Sequence, residues 1–361
     1  MKKKNWVFIT MVLLVVSLAF IGCRSKTGKD DNYVLRVGIQ PDLCFAPLHI
    51  AIEKGFFEAE GLKFEAIKIE STVAAEAIAS NQIDAGFGLI AKFIQPLENG
   101  LPLKFTCGIH TGCIKIVVPR DSSVNSLSGL RGKKVGVPGL MSSPSLIARR
   151  ALAAAGVGVT SDNLEVDFTA YSNADLYAAL GKGAIDAVAG GDPSVSVAVR
   201  ENSLKILLDT ASDEKYKNEY CCLSFVTSTL AEKHPKIAAQ FTRAVIRASQ
   251  WVENNPLEAA KIQIEKNYVA GDADFNASLL ASYSYNPSVR GGYDALKNTI
   301  NEFKTIKLLN DETNTQKLLE NSFIFFDGVA DASDNTTRGS VSIAAASAEI
   351  AQKPNVIECC E

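Results

Sequence analysis

Apolar positions along this chain keep changing their period. Val34-Leu35-Arg36-Val37-Gly38-Ile39 is a short, mostly apolar run that predicts a strand, and the helical spacing over Ala46–Lys54, closed by Gly55, predicts a helix. Lys63–Ile69 alternates as a strand should, Val73–Ser80 returns to helical spacing, and Ile83–Phe87 is a short apolar strand. Strands alternating with helices over tens of residues predict βαβ units and a parallel sheet.

The series then repeats. Lys134-Val135-Gly136-Val137-Pro138 echoes Arg36-Val37-Gly38-Ile39-Gln40, and at nearly the same offset Ile185-Asp186-Ala187 echoes Ile83-Asp84-Ala85. Between the later pair lie a helix over Ser145–Ala155 ended by Gly156, a strand over Leu164–Phe168 and a helix over Asp175–Leu180. Such a repeat predicts two α/β lobes of common design. Beyond Leu223–Val226 the pattern turns helical, over His234–Asn254, Pro256–Asn267, Ala295–Leu308 and Thr315–Leu319. From Asp327 onward the chain is rich in Ala, Ser and Asp with little periodicity, and reads as a poorly ordered tail.

The N-terminus has its own logic. Lys2-Lys3-Lys4 precedes an apolar run from Trp6 to Ile21 and then Gly22-Cys23, the pattern of a secretory signal. The run falls short of the ~20 residues that span a bilayer as a helix. Phe20-Ile21-Gly22-Cys23 resembles a bacterial lipobox, with Phe where that pattern prefers Leu, which implies that Cys23 is diacylated and becomes the new N-terminus. Arg24–Asn32 is short and polar, as a flexible tether is. The expected organisation is therefore a signal peptide over 1–22, a lipidated Cys and tether over 23–33, lobe 1 over 34–115 plus 224–326, lobe 2 over 116–223, and a tail over 327–361.

Composition changes this picture little. The chain has 361 residues, 47% hydrophobic and 21% charged, enough for two lobes with cores of their own. A net charge of −3, with no basic block beyond Lys2-Lys3-Lys4, excludes the electrostatic footprint of a nucleic-acid binder.

Several segments resemble one known superfamily. They are Ala46-Pro47-Leu48-His49-Ile50-Ala51, Glu53-Lys54-Gly55-Phe56-Phe57 with Glu60-Gly61-Leu62, Ile83-Asp84-Ala85-Gly86, Leu127-Ser128-Gly129-Leu130-Arg131-Gly132-Lys133-Lys134-Val135-Gly136-Val137, and Gln250-Trp251-Val252-Glu253-Asn254-Asn255-Pro256. Together they are similar to the NMT1/THI5-like superfamily of ABC-transporter substrate-binding proteins, the group for nitrate, sulfonates, taurine and thiamine precursors. The resemblance runs from Tyr33 to Phe326. It implies a type-II periplasmic-binding-protein fold, two α/β lobes joined by two crossing strands with the ligand in the cleft between them. It further implies an extracytoplasmic, cell-membrane lipoprotein, a monomer that captures a small molecule for ABC permease and ATPase subunits, and no cofactor. The crossings are expected near Ile114–Val118 and Leu223–Val226.

In open α/β sheets ligands lie beyond the carboxyl ends of strands, against helix N-termini. The candidate ligand-binding residues are those just after the expected strands: Asp42, Cys44, Phe45, Ser71, Thr72, Phe87, His110, Cys113, Ser142, Ser143, Asp192, Cys221 and Cys222. Ser143-Pro144 reads as an N-cap followed by Pro at the first helical position, and Ser71-Thr72 carries the same ambiguity between capping and ligand binding. Phe45 and Phe87 are placed either to stack on a planar ligand or to fill a core, and His49 reads as a packed or surface residue.

With Cys23 given to lipid, Cys44, Cys107, Cys113, Cys221, Cys222, Cys359 and Cys360 remain, an odd set that argues against a fully paired disulfide framework. Three readings stand: buried small hydrophobes or an incidental disulfide such as Cys107–Cys113; soft-ligand chemistry in which Cys44, Cys113 and His110 are candidate ligands of a metal or a metal-bearing solute; or covalent or redox capture of a thiol-reactive solute. An enzyme on the same fold, of the thiamine-pyrimidine or menaquinone-pathway type, is the alternative function, but no nucleophile–base arrangement in the sequence supports it. A sensory module is the third class and would need a partner protein.

Overall fold

The computed structural model describes residues 32–70 and 73–331. The signal segment, Cys23, the tether up to Asp31, Ser71, Thr72, Cys359, Cys360 and the tail beyond Asp331 lie outside the described residues.

The strands, in chain order, are β1 (Val34–Ile39), β2 (Lys63–Lys68), β3 (Ala85–Leu89), β4 (Leu103–Thr111), β5 (Ile114–Pro119), β6 (Lys134–Val137), β7 (Val159–Thr160), β8 (Asn163–Leu164), β9 (Asp167–Ala170), β10 (Ala187–Gly191), β11 (Leu204–Asp209) and β12 (Tyr220–Thr227). One five-stranded sheet has the order β2-β1-β3-β12-β4 and another has the order β11-β5-β10-β6-β9. In the first, β1 and β3 are parallel and β12 runs antiparallel to β3 and β4. In the second, β6 is parallel to β9 and β10, while β5 runs antiparallel to β10 and β11. The two sheets are the two α/β lobes of a periplasmic-binding-protein fold. The chain crosses from first to second at Gly112–Cys113 and returns between Asp209 and Tyr220.

The sequence echo has a physical cause. In the first sheet the Asp84 carboxylate accepts the backbone N–H of Arg36 at 3.0 Å while the Asp84 N–H donates to the Arg36 carbonyl at 2.8 Å. In the second, Asp186 takes the Lys134 N–H at 2.9 Å and returns its own N–H to the Lys134 carbonyl at 2.9 Å. Each Ile-Asp-Ala thus clamps the start of the strand beside it. The glycine two residues on is part of the same device. A Cβ at Gly38 would meet Ile83 Cδ1 at 2.8 Å, and one at Gly136 would meet Ile185 Cδ1 at 2.3 Å.

Apolar side chains cover both faces of the second sheet. Ile116, Val118, Val135, Val137, Ala187 and Ala189 pack into one cluster, while Val117 and Val188 join Leu176, Leu180 and Val195 on the other side. The 20-residue helix Pro235–Asn254 buries Ile237, Phe241, Val245, Ala248 and Val252, an i, i+3, i+4 stripe.

Some elements depart from the periodicity. The strand expected over Leu164–Phe168 is two, because Leu164 pairs with Val159 in a small hairpin while Phe168 pairs with Val135 in the second sheet. The last sheet strand of each Ile-Asp-Ala repeat starts at the alanine, because the Asp is engaged in the clamp. The helix expected from Ala295 begins at Val289, since Ser288 caps it by accepting the Gly291 N–H. A helix over Ala273–Ser282, capped by Asp272, had no apolar period strong enough to predict it.

Candidate functional site

Strands β1 and β3 are parallel, so both end on the same edge of the first sheet. Cys44 lies in the 3-10 turn Leu43–Phe45 that follows β1. Cys222, near the start of the antiparallel β12, stands opposite Leu89 at the end of β3 and opposite His110 near the end of β4. Cys113 comes two residues after β4 ends. The topology therefore collects three thiols and an imidazole at one place, with one donor atom from each of Cys44, His110, Cys113 and Cys222 lying within 4.8 Å of the others. All four residues are buried, with at most 5% of their surface exposed.

Two local irregularities make this possible. Neighbouring residues on a strand point to opposite faces, yet the Sγ atoms of Cys221 and Cys222 are 3.7 Å apart. The register with β4 slips between Tyr220 and Cys222, so Cys221 is the extra residue of a β-bulge, which turns its side chain toward the cluster. The second irregularity is the crossing. Gly112 and Cys113 both have positive φ, 83° and 78°. For a cysteine that conformation costs about 1–3 kcal/mol and persists only where the surroundings hold it.

Cys221 Sγ lies 3.7 Å from Cys113 Sγ and donates to the Gly112 carbonyl at 2.9 Å. His110 Nδ1 is 2.9 Å from the Thr111 carbonyl. A carbonyl only accepts, so this contact assigns the proton to Nδ1 and leaves the lone pair on Nε2. Nε2 is buried without a hydrogen-bond partner among the described residues.

The thiols do not share one acidity. The hydrogen bond with Cys113 raises the Cys44 thiol, that with Cys221 raises Cys113 to about 11, and burial pushes Cys222 well above the ordinary thiol value. Cys221 goes the other way: burial opposes its thiolate, but hydrogen bonding with Cys113 and Cys222 outweighs it and holds this thiol below the ordinary value. Neighbouring S–H groups thus solvate a first negative charge and resist a second. Burial raises Asp42 to about 6, helped by the charge of Cys44, and desolvation also lowers the half-buried Lys92 ammonium, which the charges of Asp42, Cys222 and Cys44 partly restore.

Aromatic rings wall the cluster. Phe45 and Phe87 meet edge-to-face at 4.5 Å, and Phe87 stands 5.8 Å from the His110 ring. Tyr283 and Tyr285 lie 5.7 and 5.0 Å from the same ring. Sequence reasoning missed both tyrosines, and the signal was their alternate spacing in a non-helical stretch, which puts two rings on one side. It missed Lys115 as well. The Lys115 ammonium sits 2.7 Å from Asp192 Oδ2, and the Tyr283 hydroxyl donates to that oxygen at 2.9 Å. Asp192 follows β10 of the second sheet, whereas the segment after Tyr283 bonds to β4 of the first through the Thr111 N–H and the Ser284 carbonyl. That hydrogen bond ties the lobes together.

Ser142, not Ser143, is the N-cap of the helix Ser143–Ala154, and Pro144 is its second residue. The Ser142 hydroxyl donates to the Gly139 carbonyl at 2.7 Å, while Ser143 Oγ is buried with no partner among the described residues. Both serines stand at the carboxyl edge of the second sheet, after β6. Cys107 does not pair with Cys113: the five described cysteines are free thiols, and Cys107 Sγ contacts the Gly108 carbonyl at 3.2 Å. His49 is fully buried, between the Gln40 carbonyl at 3.0 Å and Gln263 Nε2 at 2.9 Å. Two surface pockets, of about 500 and 650 Å³, involve Arg243 and Phe325 in one case and Arg120 and Tyr177 in the other, and neither includes a candidate residue.

The family described as NMT1/THI5 like matches residues 43–259. A putative aliphatic sulfonates-binding protein of Bacillus subtilis is 27% identical over 265 residues, covering 70% of this chain and 76% of its own. The formylaminopyrimidine-binding protein of Halalkalibacterium halodurans is 24% identical over 313 residues, covering 81% and 90%. The crystal structure of the periplasmic aliphatic sulphonate binding protein of Escherichia coli superposes with a TM-score of 0.66 at 19% identity, covering 80% of this chain and 92% of that one.

Proposed function

The chain belongs to the NMT1/THI5-like family, and we propose that it is an extracytoplasmic solute-binding lipoprotein that captures a small molecule between its lobes for an ABC importer. One observation carries the reading: Ser143 Oγ, buried at the strand ends of the second sheet, has no hydrogen-bond partner among the described residues. Ser143 opens a 12-residue helix, where free N–H groups and the helix dipole favour an anionic oxygen. An oxyanion-bearing solute held there and against the aromatic wall would bridge the lobes, and closure of such lobes is a hinge motion.

The first lobe takes in β1–β4 and β12 and the second β5, β6 and β9–β11, so the chain changes lobe at Gly112–Cys113 and before Tyr220, a few residues ahead of the expected boundaries at 115/116 and 223/224. Cys23 carries the lipid, Arg24–Asn32 is the tether, and the monomer delivers its solute to permease and ATPase subunits. The enzyme reading has one observation on its side, a Cys221 Sγ to His110 Nδ1 separation of 3.7 Å. The Nδ1 proton is committed to the Thr111 carbonyl, so Cys221 and Nδ1 do not form a nucleophile–base pair.

A thermal-shift panel of sulfonates, nitrate, thiamine precursors and aromatic carboxylates tests the proposal. A true solute at 100 times its Kd should stabilise the protein by about 2.7 kcal/mol, and Ser143→Ala should weaken it. No shift with any solute, together with unchanged uptake in a deletion strain, overturns the proposal.

A further inference from the structure

We infer that Cys44, His110, Cys113 and Cys222 form a binding site for one thiophilic metal ion of the zinc(II) or cuprous type, at the bottom of the solute cleft. The inference rests on the carrier reading only for calling that place the cleft; the donor set stands on its own geometry. A tetrahedral zinc ion with bonds of about 2.3 Å to sulfur and 2.0–2.1 Å to nitrogen needs its donors roughly 3.5–3.8 Å apart. The four donor atoms already lie within 4.8 Å of one another, so an inward shift of about 1 Å completes that arrangement.

Three further features favour an ion over a dry packing of thiols. His110 Nε2 is buried, bears the lone pair and has no partner among the described residues, while Nδ1–H is fixed by the Thr111 carbonyl. A metal-ligating imidazole is oriented in just this way by a carbonyl on its other nitrogen. Cys113 reaches the cluster only through a positive φ, an expense that packing a small hydrophobe does not require. The donors are soft, with no carboxylate among them, which selects zinc or cuprous copper over magnesium, calcium or manganese.

The charges balance locally. For zinc, three S–H bonds break and three protons leave to solvent, while three Zn–S bonds and one Zn–N bond form, with no change of oxidation state. The resulting centre carries one negative charge, and the half-buried Lys92 ammonium interacts electrostatically with Cys44 and Cys222. Cys221, 3.7 Å from both Cys113 and Cys222, is a fifth thiol placed to exchange with a ligand when the ion enters or leaves.

The test is a titration of the whole chain, purified without oxygen and stripped with chelator, first with cobalt(II) and then with zinc(II). One equivalent of cobalt should give intense thiolate-to-metal charge-transfer bands and a tetrahedral spectrum, and zinc should displace it. Cys113→Ser and Cys222→Ser should each weaken zinc binding by more than ~100-fold, beyond the 10–100-fold that loss of an outer partner costs, while Cys107→Ser should leave it intact. X-ray absorption at the zinc edge of the unmutated chain should read three sulfurs and one nitrogen, so the result does not depend on any variant folding. Absence of charge-transfer bands, an oxygen-only shell, or equal affinity in Cys113→Ser overturns the inference. Organic solutes that shift stripped and zinc-treated protein alike, with no metal bound, would overturn this inference and leave the carrier standing. Tight zinc binding with no solute and unchanged uptake would do the reverse.

Discussion

The sulfur atoms of Cys113 and Cys221 lie 3.7 Å apart although 108 residues separate them in the chain. One sits at the crossing out of the first sheet, the other in the bulge where β12 returns to it, so their contact closes the whole second lobe into a loop. A mild oxidant such as oxidised glutathione should therefore join Cys113 to Cys221, not Cys107 to Cys113, and peptide mapping would identify the bridge. Closing a loop of that length should stabilise the fold by up to about 4–5 kcal/mol in the chain-entropy account. Prior loading with zinc should protect both thiols. A Cys107–Cys113 bridge would contradict the geometry.

The Tyr283 hydroxyl reaches across the lobes to Asp192. Tyr283→Phe keeps the ring beside His110 and removes only the bond to a charged acceptor, a loss of about 1.5–3 kcal/mol. It should favour the open form, seen as a larger radius of gyration in small-angle scattering, with the Lys115–Asp192 pair intact. An unchanged radius and unchanged melting temperature would show that this bond does not hold the lobes.

His49 should make stability depend on acid. Burial drives its imidazole down to about 3 from an ordinary 6.5, only partly offset by the bond to the Gln40 carbonyl. The unfolded chain then takes up the proton before the folded one does. Its contribution is complete above pH 6.5 and is lost as pH falls toward 3, at about 1.4 kcal/mol per pH unit. Urea melts across that window should show a shallower slope for His49→Leu, even though that variant leaves Gln263 short of a partner. An unchanged slope would mean that the histidine is accessible to protons in the folded state.

Arg150 is almost fully buried on the helix Ser143–Ala154, 2.7 Å from Glu219 and 2.5 Å from Glu302. Glu302 belongs to the helix Val289–Thr305, so the pair fastens the second lobe's helix to the C-terminal helices. Arg150→Met strands a partly buried carboxylate and should cost about 3–5 kcal/mol in chemical denaturation. A loss below about 1 kcal/mol would mean that the network behaves as an exposed surface pair.

Much of the fold was legible because its causes are local. The switching period marked the βα units, and the Ile-Asp-Ala repeat carried its own clamp, since Asp84 and Asp186 bond the start of a strand that the same pattern had already located. The individual thiols and His110 could be named as candidates because they follow expected strands. What could not be read was that Cys222 rather than Cys221 completes the tetrad, that Cys221 turns toward it through a bulge, or that Tyr283 and Lys115 belong beside it. Period and capping are set by neighbours within a turn or two of chain. Register, bulges and a positive φ are set by which strands pair across a hundred residues, so the sequence alone determined the two lobes and their strand ends, and only the tertiary structure decided which side chains those ends bring within bonding distance.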